Sequence, residues 1–198
     1  MAKVTKKKLV KKVAAKSKAK PVKKKAPVAV KAKPKAAKAA PISAGSAIVG
    51  KASPTFRAES TGGKTVDLAA LRGKNVVLYF YPKDATPGCT IEGHDFSRLK
   101  GAFEKAGAVV YGISRDSIKS HEKFKLKENY TVDLLSDENE AVCQNFGVIK
   151  MKNMYGKQVR GIERSTFVID REGKLVKEWR GVKVPGHADE VLEFVKGI

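Results

Sequence analysis

The residues best suited to chemistry in this chain gather in one segment, residues 79–89, YFYPKDATPGC. A strand-like apolar run ends at Tyr81, a loop with Pro and Gly follows, and Cys89 stands where a helical pattern begins. A cysteine at a helix N-terminus has its thiolate favoured by unpaired backbone N–H groups and by the helix dipole. Thiolate, not thiol, is the nucleophile. Thr86, three residues earlier in a turning loop, can aim its hydroxyl at the same space. Pro82 closes the strand, removes a competing N–H and would shield one side of a pocket.

The other candidate groups are sparser. Cys143 is the only other thiol, and two cysteines exclude a disulfide scaffold or a four-cysteine zinc module. His94, His121 and His187 are scattered, with neither HExxH nor CxxC, so neither a metal site nor a cofactor is expected. The segment STGGKT is not a phosphate loop, because the first glycine of that motif would fall at Ala58 and no strong strand precedes it.

Elements that could hold such a site are legible around it. Residues 76–81 (VVLYFY) and 108–113 (AVVYGI) are continuous apolar runs, as expected for strands buried on both faces. Between them Phe96, Leu99, Phe103 and Ala106 recur at helical spacing, ending at Gly107. Strand, helix, strand at this spacing predicts a right-handed βαβ unit. A second helix starts at Asp116 or Ser117 and runs toward Asn129, and a third covers roughly 138–146, with Cys143 on it. Residues 165–170 (STFVID) and 174–179 (KLVKEW) flank turn residues 171–173 and predict a hairpin, on which Trp179 packs. A last helix near 188–196 presents Val191, Leu192 and Val195 on one face. Phe56 and residues 66–68 suggest a short hairpin around Gly62 and Gly63. The sum is an α/β fold of thioredoxin-like plan, with a mixed central sheet and helices on both faces.

Charge divides the chain. It has 41 Lys+Arg against 20 Asp+Glu, a formal net charge of +21, yet residues 1–40 hold 16 lysines and no acid. Residues 41–198 hold 25 basic and 20 acidic residues and are nearly balanced. We therefore expect a disordered Lys/Ala/Pro-rich tail over 1–53, since it has too few large apolar groups to offset chain entropy, and one folded domain over 54–198. The tail's composition resembles the tails of linker histones and of some bacterial nucleoid proteins. Its physics is polyanion binding by counterion release, without base readout, so DNA or RNA is an expected partner; the alternative is a solubilising tail with no dedicated partner. No apolar run of about 18 residues is present, so no transmembrane helix and no membrane role are expected. The basic start is not followed by an apolar stretch of about 7–15 residues, so no secretory signal is expected either.

Pro82-x-x-x-Thr86-x-x-Cys89 resembles the active-site pattern of peroxiredoxins, PxxxTxxC. The segments YFYPKDATPGCT, GISRDS, LLSDENE, KNMYG and GIERSTFVID, in that order, are similar to the bacterioferritin comigratory protein or peroxiredoxin Q subfamily. The resemblance runs from about residue 54 to 197 and leaves the tail outside. It implies a thiol peroxidase for hydrogen peroxide and organic hydroperoxides, re-reduced by thioredoxin or another thiol donor. A monomeric body and a cytoplasmic location, with nucleoid association through the tail, are expected. By the same resemblance Cys89 attacks the peroxide O–O bond and becomes a sulfenic acid. Thr86 then bonds thiolate and peroxide, Pro82 shields the sulfur, and Arg164 completes the site. A guanidinium and a hydroxyl there would stabilise the charge that develops on the departing oxygen.

One departure stands out. Many members carry a resolving cysteine five residues after the first, in CTxExC, but here CTIEGH places His94 there. Cys143 is then either a buried small hydrophobe or a resolving residue reached by local unfolding, and otherwise an external thiol must act. His121 matches a family histidine in SxxxHxKF and is read as structural. The competing class is a nucleoid or chromatin protein whose body mainly carries the tail; an intact PxxxTxxC with its arginine favours the enzyme.

Overall fold

The structure, a computed structural model, describes residues 47–154 and 156–198. Its frame is a seven-stranded mixed sheet. The strands are β1 (Arg57–Ser60), β2 (Lys64–Asp67), β3 (Asn75–Phe80), β4 (Ala108–Ser114), β5 (Asp133–Ser136), β8 (Ser165–Ile169) and β9 (Leu175–Arg180), in the order β2-β1-β5-β4-β3-β8-β9. Strands β3, β4 and β5 run parallel; β8 and β9, and β1 with β2, pair antiparallel. Four helices accompany them among the described residues: α1 (Pro87–Lys105), α2 (Ile118–Glu128), α3 (Ala141–Asn145) and α4 (His187–Lys196). A two-stranded hairpin, β6 (Ile149–Met154) with β7 (Lys157–Ile162), lies outside the main sheet.

Strand β3 is buried along its whole length, which is why its sequence reads as one apolar run. Its side chains alternate between two cores. Val76, Leu78 and Phe80 join Phe56, Leu68, Val142, Cys143, Phe146 and Phe167 on one face. Val77, Tyr79 and Tyr81 join Cys89, Phe96, Phe103, Phe124, Val191 and Val195 on the other. Helices α1, α2 and α4 thus cover one face and α3 the opposite one, so that helices lie on both faces, as the sequence predicts. At about 25 cal/mol per Å² of apolar surface, burying a ring such as Phe96 contributes roughly 2–3 kcal/mol.

Three differences from the sequence reading have local causes. Residues 47–53, assigned there to the tail, are bonded to the body: Ala47 N–H donates to the Asn145 carbonyl (3.0 Å), Gly50 to Leu175 (2.7 Å) and Ser53 to Gly173 (2.9 Å). The rest of the expected tail lies outside the described residues. Helix α3 starts at Ala141 rather than 138, because Asp137 turns its carboxylate onto the N–H groups of Val142 (3.1 Å) and Cys143 (2.7 Å), and Glu140 takes a left-handed φ of 60°. Strand β5 and the β6–β7 hairpin were not anticipated; the first is four residues long and the second alternates lysines with few large apolar groups.

Candidate active site

The site forms where β3 ends and α1 begins. Thr86 is the N-cap of α1, Pro87 is its first residue, and Cys89 follows in the first turn. Proline suits that position, since its missing N–H has no partner in a first turn anyway. Thr86 does not cap with its side chain; its hydroxyl donates to the Lys83 carbonyl (3.1 Å), while its own carbonyl accepts from Thr90. The first-turn N–H groups beside the sulfur are therefore left without a side-chain cap, and the Thr86 oxygen keeps its lone pairs for an incoming donor. Cys89 is buried at 3% exposure, and Pro82 is half-buried at the end of the strand.

Arg164 arrives from the segment between β7 and β8. Its Nη2 donates to Cys89 Sγ at 3.2 Å, and its Nη1 donates to Glu92 Oε2. Two features let the guanidinium come so close. Gly88 carries no side chain, and a Cβ there would lie 3.3 Å from Arg164 Nη2. The backbone N–H of Val182 donates to the Arg164 carbonyl (3.0 Å), which anchors the residue at the edge of the sheet.

Glu92 was not singled out from the sequence. It lies one turn after Cys89 on the same face of α1, and the carboxylate in CTIEGH was the available signal. It is 1% exposed, and its Oε1 has no hydrogen-bond partner. Burial pushes its carboxyl up to about 7, against the opposing charge and hydrogen bond of Arg164. A proton can therefore rest beside the guanidinium near neutral pH. The arrangement sets a sulfur, a cation bonded to it and a titrating carboxyl in one buried row.

The structure brings Cys89 and Arg164 together, and it places Pro82 just past the end of β3 and Thr86 at the N-cap of α1. The Thr86 hydroxyl bonds the Lys83 carbonyl, not the sulfur as the resemblance implies. Cys143 lies elsewhere. It is fully buried in the core on the far face of the sheet from Cys89, and both cysteines are free. Burial, with the Asp137 carboxylate beside it, pushes its thiol far up. His94 is exposed and bonds Glu128 (3.2 Å), and His187 bonds the Thr166 hydroxyl (2.8 Å). Trp179 packs edge-on against His187 and Phe194, as expected. Among the described residues no cluster of His, Cys, Asp and Glu could hold a metal ion, and no helix is long and apolar enough to cross a membrane.

The model of the AhpC/TSA family matches residues 49–178. Over 136 residues the chain is 57% identical to Peroxiredoxin Bcp of Xanthomonas campestris, covering 69% of this chain and 85% of that protein. Over 148 residues it is 47% identical to Peroxiredoxin Bcp of Bacillus subtilis, covering 75% and 94%. Among solved structures it resembles the bacterioferritin comigratory protein of Xanthomonas campestris, described for its alkyl peroxide reduction activity. The TM-score is 0.69 at 54% identity, over 72% of this chain and 90% of that one.

Proposed function

The chain belongs to the AhpC/TSA family, as a peroxiredoxin of the bacterioferritin comigratory protein type and a thiol peroxidase, and on that premise we propose that Cys89 is its peroxidatic residue. The observation that carries the assignment is the Arg164 guanidinium bonded to the Cys89 sulfur at 3.2 Å inside a thioredoxin-like fold.

The Cys89 thiolate attacks one oxygen of hydrogen peroxide or of an organic hydroperoxide. An S–O bond forms as the O–O bond breaks, the sulfur is oxidised to a sulfenic acid, and the departing oxygen leaves as water or alcohol once protonated. Arg164 and the first-turn N–H groups face the charge that grows on the two oxygens. Thr86, with its proton committed to Lys83, accepts from the peroxide, and Pro82 shields the sulfur. Glu92 holds Arg164 against the sulfur.

Reduction of the sulfenic acid falls to an external thiol, for which thioredoxin is the proposed donor. Cys143 is a buried packing residue in this reading, because the whole sheet separates it from Cys89. The body acts as a monomer in the cytoplasm. The lysine-rich segment ahead of it is a polyanion-binding arm that holds the enzyme near nucleic acid, without base readout.

Peroxide consumption with a small dithiol tests the assignment. Cys89→Ser should consume none, because a serine alkoxide is not available near pH 7. Substantial turnover by that variant would refute it.

A further inference from the structure

Behind the loop that leads into the site lies a second polar cluster, buried and away from the sulfur. Asp84 is 7% exposed, and its carboxylate is turned inward onto α2. Oδ1 accepts from the Tyr81 hydroxyl (2.8 Å) and Oδ2 from the Ser120 hydroxyl (2.7 Å). His121 is wholly buried, with Nδ1 at 3.0 Å from Oδ2 and 3.1 Å from Oδ1. Its other nitrogen, Nε2, faces the Leu135 carbonyl on β5 at 3.2 Å. Both ring nitrogens thus face oxygen atoms, which fixes the ring between the Asp84 carboxylate and the β5 backbone. The result is a buried His121–Asp84 pair.

We propose that Asp84 and His121 are positioning residues for the peroxide step, acting through the loop that sets Thr86 beside Cys89. The proposal rests on the reading of Cys89 as the peroxidatic residue.

Three features tie the pair to the loop. Asp84 is two residues before Thr86, and its own N–H is held by Asp116 Oδ2 (2.9 Å), which Ser114 also bonds (2.7 Å). The loop is thereby pinned from β4, from α2 and from the turn between them. Ala85 has a φ of 56°, a left-handed conformation that a non-glycine residue keeps only where its surroundings over-determine it. That reversal lets Asp84 point into the protein while Thr86 takes the N-cap position of α1, three residues before Cys89. Although burial works to raise the Asp84 carboxyl, the bonds from His121, Ser120 and Tyr81 and the charge of His121 hold it below the usual carboxylate range.

A double-mutant cycle on the full chain tests this, with the rate of Cys89 oxidation by hydrogen peroxide as readout. Asp84→Asn should slow oxidation roughly tenfold, as expected when a reacting group is slightly misplaced. In a Thr86→Val background the same change should cost almost nothing further, because the group it positions is already gone. Tyr81→Phe, which removes a single hydroxyl from the cluster, should slow oxidation by about threefold with the same cancellation. It serves as the deciding variant if Asp84→Asn does not fold. Wild-type rates in the folded variants, or a loss that persists undiminished in the Thr86→Val background, would overturn the proposal. Absence of peroxide turnover in the wild type would instead refute the reading of Cys89.

Discussion

Three side chains are asked to do most of the chemistry, and their contributions are separable. The Arg164 guanidinium touches the sulfur in the resting site, so it is preorganised and need not move as charge develops. Thr86 touches the Lys83 carbonyl instead, which fixes its proton and leaves its oxygen as an acceptor. Arg164→Ala and Thr86→Val should each slow Cys89 oxidation about 10²-fold, which corresponds to ~2.7 kcal/mol of transition-state stabilisation. Stopped-flow oxidation rates measure this. Near wild-type rates in both variants would show that neither residue faces the reacting oxygens.

In the proposed mechanism the first turn of α1 is the working element. Cys89 and Glu92 share one face of it, and Arg164 bridges them. The Glu92 carboxyl is raised from 4.5 to about 7 by burial, so the folded state favours its protonated form. Its contribution to stability is fully present below about pH 4.5 and is lost as pH rises through 7. The span corresponds to at most ~3 kcal/mol. Glu92→Gln cannot ionise, so its urea midpoint should fall less than that of the wild type between pH 5 and 8. Identical pH dependence in the two proteins would contradict the assignment.

Much of this element was legible in sequence, because residues 76–81 form an unbroken apolar run and Cys89 stands where a helical pattern begins, although the helix itself starts two residues earlier, at Pro87. Glu92 was not, since a carboxylate inside a helical pattern reads as a solvated face until the fold buries it. Nor was Asp84, whose inward turn depends on α2 and on the left-handed backbone at Ala85. The start of α3 was misread for a similar reason: Asp137 caps it from outside the periodic segment.

For the molecule as a whole, charge and catalysis fall on different parts of the chain. Residues 1–46 carry 16 lysines and no acid, and they precede the segment matched by the family. If about 8 of those lysines neutralise phosphates together, log K for duplex DNA should fall with log salt at a slope near −7, whatever the base sequence. Removing residues 1–46 should abolish that binding and leave peroxide turnover unchanged; residues 47–53 must stay, because they bond to the body. Equal DNA affinity of the two forms in a salt series of gel shifts would refute the arm's role. The central claim is that one sulfur, Cys89, takes the peroxide oxygen and that no thiol within the chain resolves it. Mass analysis of protein treated with one equivalent of hydrogen peroxide, in the presence of a sulfenic-acid trap, tests it most directly. The trap is expected on the peptide bearing Cys89, with Cys143 unmodified and the same pattern in Cys143→Ser. A Cys89–Cys143 disulfide, or peroxide consumption with Cys89 unmodified, would contradict it.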